Sequence, residues 1–211
     1  MPDELGFNPW LKIWVEPRET IRRIVKFDPK YRFYLLSFIY GFPMLLHLAQ
    51  NLSLGQSFSA IGIVIGSLVL ALLAGMLGIY VVSGLLFWTG KWIGGKGSFQ
   101  EVRSAVAWSN VANVINSILW LILVGLFGSS LFLNTFTDTA FVGRQLAIVG
   151  VIGLVQLVVA VWAFIILLKT LGEVQGFSAW KALLNVVIPF FIVTAAIFVL
   201  LWIVWVSIGV Q

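Results

Sequence analysis

The side chains best placed to act in this sequence are amides and hydroxyls, not acids or bases. Ser109, Asn110, Asn113, Asn116 and Ser117 recur at three- and four-residue spacing. On a helix that spacing sets them on one face. They interrupt an otherwise apolar run, where an unpaired amide is costly, so the stripe must face protein or water rather than lipid. Two readings follow. The amides tie helices together, or they line a route for a solute or a lipid, to which Gln156 and Asn185 could contribute.

Other chemistry is thin. Acid–base catalysis needs a nucleophile or a proton carrier beside a partner. The apolar runs offer one histidine, His47, and no Asp or Glu. A lone histidine cannot form a multi-histidine metal site; it is expected at an interface or bonded to a neighbouring helix. Cysteine is absent, which excludes disulfides, thiol catalysis and cysteine metal ligation. Gly94-Gly95-Lys96-Gly97 lacks the spacing and the preceding strand of a phosphate-binding loop. Glu101, Arg103, Glu173 and Lys181 read as helix caps and topology signals near a membrane boundary. No catalytic residue, metal site or cofactor is expected.

The elements that must position the stripe are membrane spans. Of the 211 residues, 61% are hydrophobic and 10% charged, against about 25% charged in an ordinary globular domain. A span needs about 20 mostly apolar residues. Five stretches qualify: Phe33 to Ala49, Ala60 to Trp88, Ala105 to Leu126, Gln145 to Leu168 and Leu183 to Ile208. They must be helical, because lipid leaves backbone N–H and C=O groups no external partner. The expected fold is all-α: a polytopic bundle of about five transmembrane helices over residues 33–211, preceded by a short amphipathic segment over residues 1–32. The second span is long enough to need tilt, and Gly41-Pro43 and Pro189 should bend their helices.

Charge orients the bundle. Twelve of the thirteen basic residues fall before the first span, between the second and third, or between the fourth and fifth; only Arg144 falls on the other side. The positive-inside rule makes the crowded side cytoplasmic. The N-terminus is then inside and Gln211 outside. Met1 to Phe7 lacks the basic start and apolar core of a signal peptide. The net charge of +5 does not point to nucleic acid.

Ahead of the first span, Asn8-Pro9 reads as a helix cap and start, and Asp28-Pro29 as another that launches the span. Trp10, Ile13 and Trp14 share one face, and Ile21, Ile24 and Val25 repeat the spacing among Arg18, Arg22, Arg23 and Lys26. Such a segment lies flat on an anionic leaflet, with Trp10, Trp14 and the four cations as its contacts, or caps the bundle. Among ten tryptophans, Trp88, Trp92, Trp108 and Trp180 cluster at the inner boundary and Trp202 and Trp205 toward the outer one, as interfacial anchors. Close helix packing is expected at Gly62 and Gly66, continuing through Ala71, Ala74, Gly75 and Gly78, and at Ala147, Gly150 and Gly153.

The hairpins Gly97-Ser98-Phe99-Gln100-Glu101-Val102-Arg103-Ser104 and Gly176-Phe177-Ser178-Ala179-Trp180-Lys181-Ala182 resemble each other, as in a parallel repeat about the membrane normal. Ser98 and Glu101 have capping-box spacing. Both loops, the five spans and the segment Trp10 to Val25 with its Glu16–Val25 run "EPRETIRRIV" resemble the Yip domain family over nearly the whole chain. Pro189 fits that family's prolines, whereas the third span has Asn113 and no proline. The resemblance implies five helices and a cytoplasmic N-terminus. Eukaryotic relatives carry a longer N-terminal region and are linked to Rab-type GTPases; the shorter region here resembles the prokaryotic branch and argues against a GTPase partner.

The expected function is a non-enzymatic scaffold or adaptor that organises membrane or a membrane-protein partner. Its partners would be membrane lipids and another membrane protein or a second copy. The alternative is a small transporter or channel for a solute or lipid, working as a dimer; a lipid-acting enzyme has the least support. The charge distribution predicts that a single cysteine placed after Leu126 reacts with an impermeant thiol reagent outside intact cells, while one near Gly95 does not. Reversed labelling would overturn the orientation.

Overall fold

The computed structural model describes residues 6–133 and 144–209. Gln211 and Met1 to Leu5 lie outside the described residues, as does the side chain of Arg144. Helices account for all the regular structure described: α1 (Pro9–Lys12), α2 (Pro17–Phe27), α3 (Phe33–Asn51), α4 (Ala60–Trp92), α5 (Phe99–Ser109), α6 (Asn113–Phe127), α7 (Arg144–Gln175) and α8 (Ala179–Gly209). Short 3₁₀ turns occupy Leu54–Gln56, Asn110–Ala112 and Gly128–Phe132. Five segments are long and apolar enough to cross a membrane: α3, α4, Phe99–Phe132, Leu146–Gln175 and Ala179–Val206. Each starts within a few residues of its expected position, and several extend further as helix beyond the hydrocarbon-sized core.

One end of the bundle gathers α1, α2 and the two short loops that join α4 to α5 and α7 to α8. The basic residues of these segments make it the basic end. The opposite end is closed by the 3₁₀ turns at Leu54–Gln56 and Gly128–Phe132. There Gln50 Nε2 donates to the Leu131 carbonyl at 3.1 Å, and the Ala60 amide donates to Ser129 Oγ at 3.0 Å.

The most extensive helix pair is α3 with α4. Its contact is backbone on backbone. A Cβ added at Gly41 would strike the Ala71 carbonyl, and one at Gly75 the Ser37 carbonyl. Ser37 and Ala71 are wholly buried. Gly78 meets the Tyr40 ring, where an added Cβ would come to 2.6 Å. The small residues at 37 and 41 thus oppose those at 71 and 75, so dispersion between helix backbones replaces the hydrophobic drive that lipid cannot supply. At Gly66, Gly150 and Gly153 an added Cβ would meet nothing within 4 Å, and at Gly62 only the helix's own Ser59 Oγ. Within the chain those four glycines lie away from any close helix crossing.

The helix that carries the amides is not continuous. Ser109 Oγ and Asn110 Nδ2 both donate to the Val106 carbonyl, each at 2.8 Å. That carbonyl is the acceptor an α-helix reserves for the backbone N–H of residue 110. With both lone pairs taken by side chains, the Asn110 N–H turns instead toward the Ala107 and Trp108 carbonyls. The 3₁₀ turn Asn110–Ala112 follows, and α5 ends where α6 begins. α8 is the least packed span: 6% of its most apolar stretch is buried within the protein, against 44% for α3.

Substitution at the α3–α4 crossing should therefore be severe while distant glycines tolerate it. Gly75→Ala is expected to lose about 1–3 kcal/mol or more through overpacking. Gly66→Ala and Gly150→Ala should be neutral or slightly stabilising, since alanine favours helix. Thermal unfolding in mild detergent checks this ordering; equal sensitivity at Gly66 and Gly75 would contradict the crossing.

Candidate functional site

Two regions concentrate polar groups: the basic end and the amide stripe. At the basic end, Asn8 Oδ1 accepts from the Trp10 amide at 3.0 Å and starts α1 at Pro9, as its sequence indicates. Asp28-Pro29 behaves differently. Asp28 Oδ1 accepts from the Lys30 amide at 2.8 Å, but residues 28–32 form a turn, and helix resumes only at Phe33, after Arg32 with a φ of 59°.

Of the two arrangements open to α1 and α2, the structure displays the cap. Ile13, Ile21 and Ile24 are fully buried in one cluster with Trp108, Val102 and Leu171. Trp10 packs on Trp108 with ring centroids 5.3 Å apart, and Tyr31 stacks on it at 6.2 Å. Trp108 is thus a core residue and not the interfacial anchor its position suggested; Trp88, Trp92 and Trp180 are exposed. Arg22 Nε meets Glu173 Oε1 at 2.7 Å, and Arg18 Nη1 approaches Glu173 Oε2 at 3.7 Å. Arg23 pairs with Glu19 at 2.8 Å. Burying an isoleucine side chain is worth about 1.5–3 kcal/mol, whereas exposed ion pairs add little. Apolar burial therefore holds the cap and the ion pairs set its register. Trp14 is half-buried against the same cluster, and Lys26 is exposed. The hydrogen bond from Arg23 holds the Glu19 carboxyl below its ordinary pKa, and the bond to Glu173 raises that of Arg22. The Glu19 contribution is complete above the ordinary carboxylate range and disappears as pH falls through the lowered value.

Beneath the cap the two hairpin loops lock together. Ser98 and Glu101 form the full capping box, with the Ser98 amide 2.6 Å from Glu101 Oε2. Ser178 Oγ accepts from the Lys181 amide at 3.3 Å. The Lys96 amide donates to the Gln175 carbonyl at 3.1 Å. Thr89 Oγ1 donates to Asn185 Oδ1 at 2.8 Å, and Asn185 Nδ2 to the Leu86 carbonyl at 3.1 Å. Thr89, Gln175 and Asn185 are wholly buried. Asn185 thus ties α4 to α8 and does not join the stripe. Gln175 and Thr89 carried no sequence signal of this knot; a Gln flanked by the loop glycines was the nearest hint.

Arg103 also departs from its expected role in a solvated loop. It is 5% exposed, donates from Nη1 to the Tyr80 hydroxyl at 2.9 Å, and sets its guanidinium over the rings of Phe33 (4.6 Å) and Tyr80 (5.3 Å). Aromatic faces substitute here for a carboxylate.

The stripe forms a ladder within its own helix. Asn116 Nδ2 donates to Asn113 Oδ1, and Asn113 Nδ2 to Asn110 Oδ1, both at 2.9 Å. Ser117 Oγ donates to the Asn113 carbonyl at 2.9 Å. These amide contacts therefore run along the helix and not between helices. The ladder borders two adjoining cavities, about 310 and 250 Å³, which share Tyr40, Asn113 and Asn116. Ser109 and Asn110 line the first; His47 and Trp120 line the second, ring edge to ring face at 4.8 Å. Gln156 lines neither. Among the described residues no group of three His, Cys, Asp or Glu could hold a metal.

Five apolar spans, two of them packed backbone to backbone, define an integral membrane protein of the polytopic helical class. The profile of the Yip1 domain matches residues 11–203, and the chain belongs to the Yip1 domain family. Comparisons with curated proteins and with solved structures find no match.

The ion pair between α2 and α7 is testable by neutralisation. Arg22→Gln or Glu173→Gln alone should raise amide hydrogen exchange through α2, and the double variant should raise it little further than either. Additive effects of the two changes would show that the pair does not set the register of the cap.

Proposed function

We propose that this protein is a non-enzymatic membrane scaffold or adaptor of the Yip type, organising membrane or a membrane-protein partner. The supporting observation is the docked cap. It is an ordered platform, stapled to α7 through Glu173, that leaves apolar side chains outward: Leu11 is 70% and Val15 75% exposed, with Trp180 at 81% on the same end. Exposed cations, Lys26 among them, surround these side chains and suit an anionic lipid surface or an acidic partner. On the positive-inside rule we read this platform and the N-terminus as cytoplasmic and the C-terminus as outside; the short region before the first span supports a prokaryotic membrane through the family resemblance. The sparsely packed α8 adds a second apolar surface suited to a neighbouring helix, from another protein or a second copy.

A second reading, a small transporter or channel for a solute or lipid acting as a dimer, draws on one observation: the amide ladder borders open space in the middle of the membrane.

Purification in nanodiscs separates the two. An adaptor should retain a stoichiometric protein partner that Leu11→Asp with Val15→Asp releases, while hydrogen exchange shows the cap still docked. Retention of the same partner by that variant would remove the platform from the proposal. Solute uptake into vesicles with no retained partner would favour transport.

A further inference from the structure

The amide ladder has a direction, and it ends on an unfilled bond. The Val106 carbonyl can only accept, and Asn110 donates to it through Nδ2. Asn110 must then turn Oδ1 toward Asn113, which answers with Nδ2 and turns its own Oδ1 toward Asn116. One backbone carbonyl thereby orients three amides. The series terminates at Asn116 Oδ1, buried and without a donor among the described residues. One helical turn further, Trp120 is 2% exposed and its Nε1 has no acceptor among them. Residues 116 and 120 share a helix face, and both border the same cavity, with Tyr40, Met44 and His47. The residues that carry an unmet acceptor and an unmet donor thus border one space.

A hydroxyl is the small group that satisfies both, donating to one and accepting from the other. Three features indicate what carries it. The cavity continues into the second one, of about 310 Å³, an order of magnitude above the roughly 30 Å³ share of one water. The far wall is apolar, formed by Ile79, Val82, Ala163 and Leu167, and its members Ala160 and Phe164 are exposed in mid-span on α7, so the space opens to hydrocarbon. Among the described residues no Asp, Glu, Lys or Arg lines either cavity, which leaves a charged headgroup without compensation at that depth.

We propose that this crevice binds an uncharged, hydroxyl-bearing lipid of the diacylglycerol type. The hydroxyl sits between Asn116 Oδ1 and Trp120 Nε1. The remaining amide N–H groups of Asn110 and Asn113 are available to ester carbonyls, and the acyl chains leave along the apolar wall past Phe164. The site is independent of the scaffold reading, because the platform lies at the basic end and shares no residue with the crevice.

The test uses the full chain in phosphatidylcholine nanodiscs. The probes are a diacylglycerol bearing a photoreactive diazirine and a phosphatidic acid bearing the same group. The diacylglycerol should crosslink to residues lining the crevice about fivefold more than the phosphatidic acid. Asn116→Leu and Trp120→Phe, which remove the acceptor and the donor respectively, should each lower that yield about fivefold or more, since one hydrogen bond carries about fivefold. Ile118→Leu, on the lipid-facing side, should not. Equal yields from the two lipids, or variants that crosslink like the parent, would overturn the proposal. Because the chain has no cysteine, Met44→Cys supplies a second readout that leaves Asn116 and Trp120 intact. Diacylglycerol should slow its modification by a small water-soluble thiol reagent about fivefold, whereas an unchanged rate would mean that the crevice holds water only and would equally overturn the proposal.

Discussion

A polar group inside hydrocarbon must find its partner within the protein, and most features of this structure follow from that constraint. It makes every span a helix. It also governs the side chains. Thr89, Asn185 and the Leu86 carbonyl satisfy one another between α4 and α8. Ser37 returns its hydroxyl to the Phe33 carbonyl at 2.8 Å and so leaves only small, satisfied atoms against Gly75. Arg103, without a carboxylate partner among the described residues, lies over the rings of Phe33 and Tyr80 and donates to the Tyr80 hydroxyl through Nη1. The asparagine ladder obeys the same constraint until its last member; Asn116 Oδ1 is one of several buried polar atoms without a partner among the described residues, and it shares the border of a cavity with Trp120, whose Nε1 is another.

The same constraint divides the bundle into parts held by different forces. In the middle of the membrane, burial of apolar surface contributes little, because lipid is as apolar as leucine. Close backbone approach must act instead, and α3 and α4 achieve it through Gly41 and Gly75. At the basic end water returns and so does the hydrophobic effect. There three buried isoleucines and a stack of Trp10, Trp108 and Tyr31 fasten the cap. α8 takes little of either force within the chain. An arrangement with a rigid pair, a docked platform and a loosely held fifth span suits a protein that presents surfaces to others.

The discontinuity at Asn110–Ala112 links local chemistry to this architecture. Two side-chain donors on the Val106 carbonyl displace the helical backbone bond and tighten the turn. The change in pitch sets the direction of α6 relative to α5, while α5 remains buried against α4 and α7. A polar cluster that would otherwise be a liability thereby shapes the helix and borders the cavities.

Local sequence patterns determined what depends on neighbours in the chain. Run length and apolarity located the spans; Asn8-Pro9 and the Ser98–Glu101 pair located two helix starts; the distribution of Lys and Arg sorted one end of the bundle from the other. The family resemblance was legible in the same loops and in the segment before the first span. Tertiary structure alone decided which of many equivalent features met a partner. Gly66 and Gly75 look alike in sequence, yet only Gly75 lies at a crossing, because crossing points depend on how two helices tilt. Trp108 and Trp180 both sit at a boundary, yet only Trp108 lies beneath the cap. Asn185 was a candidate contributor to a route lined by Asn113, and only the fold separated a ladder beside open space from a tie between helices. Each distinction rests on contacts between residues far apart in the chain, which periodicity along a single helix does not encode.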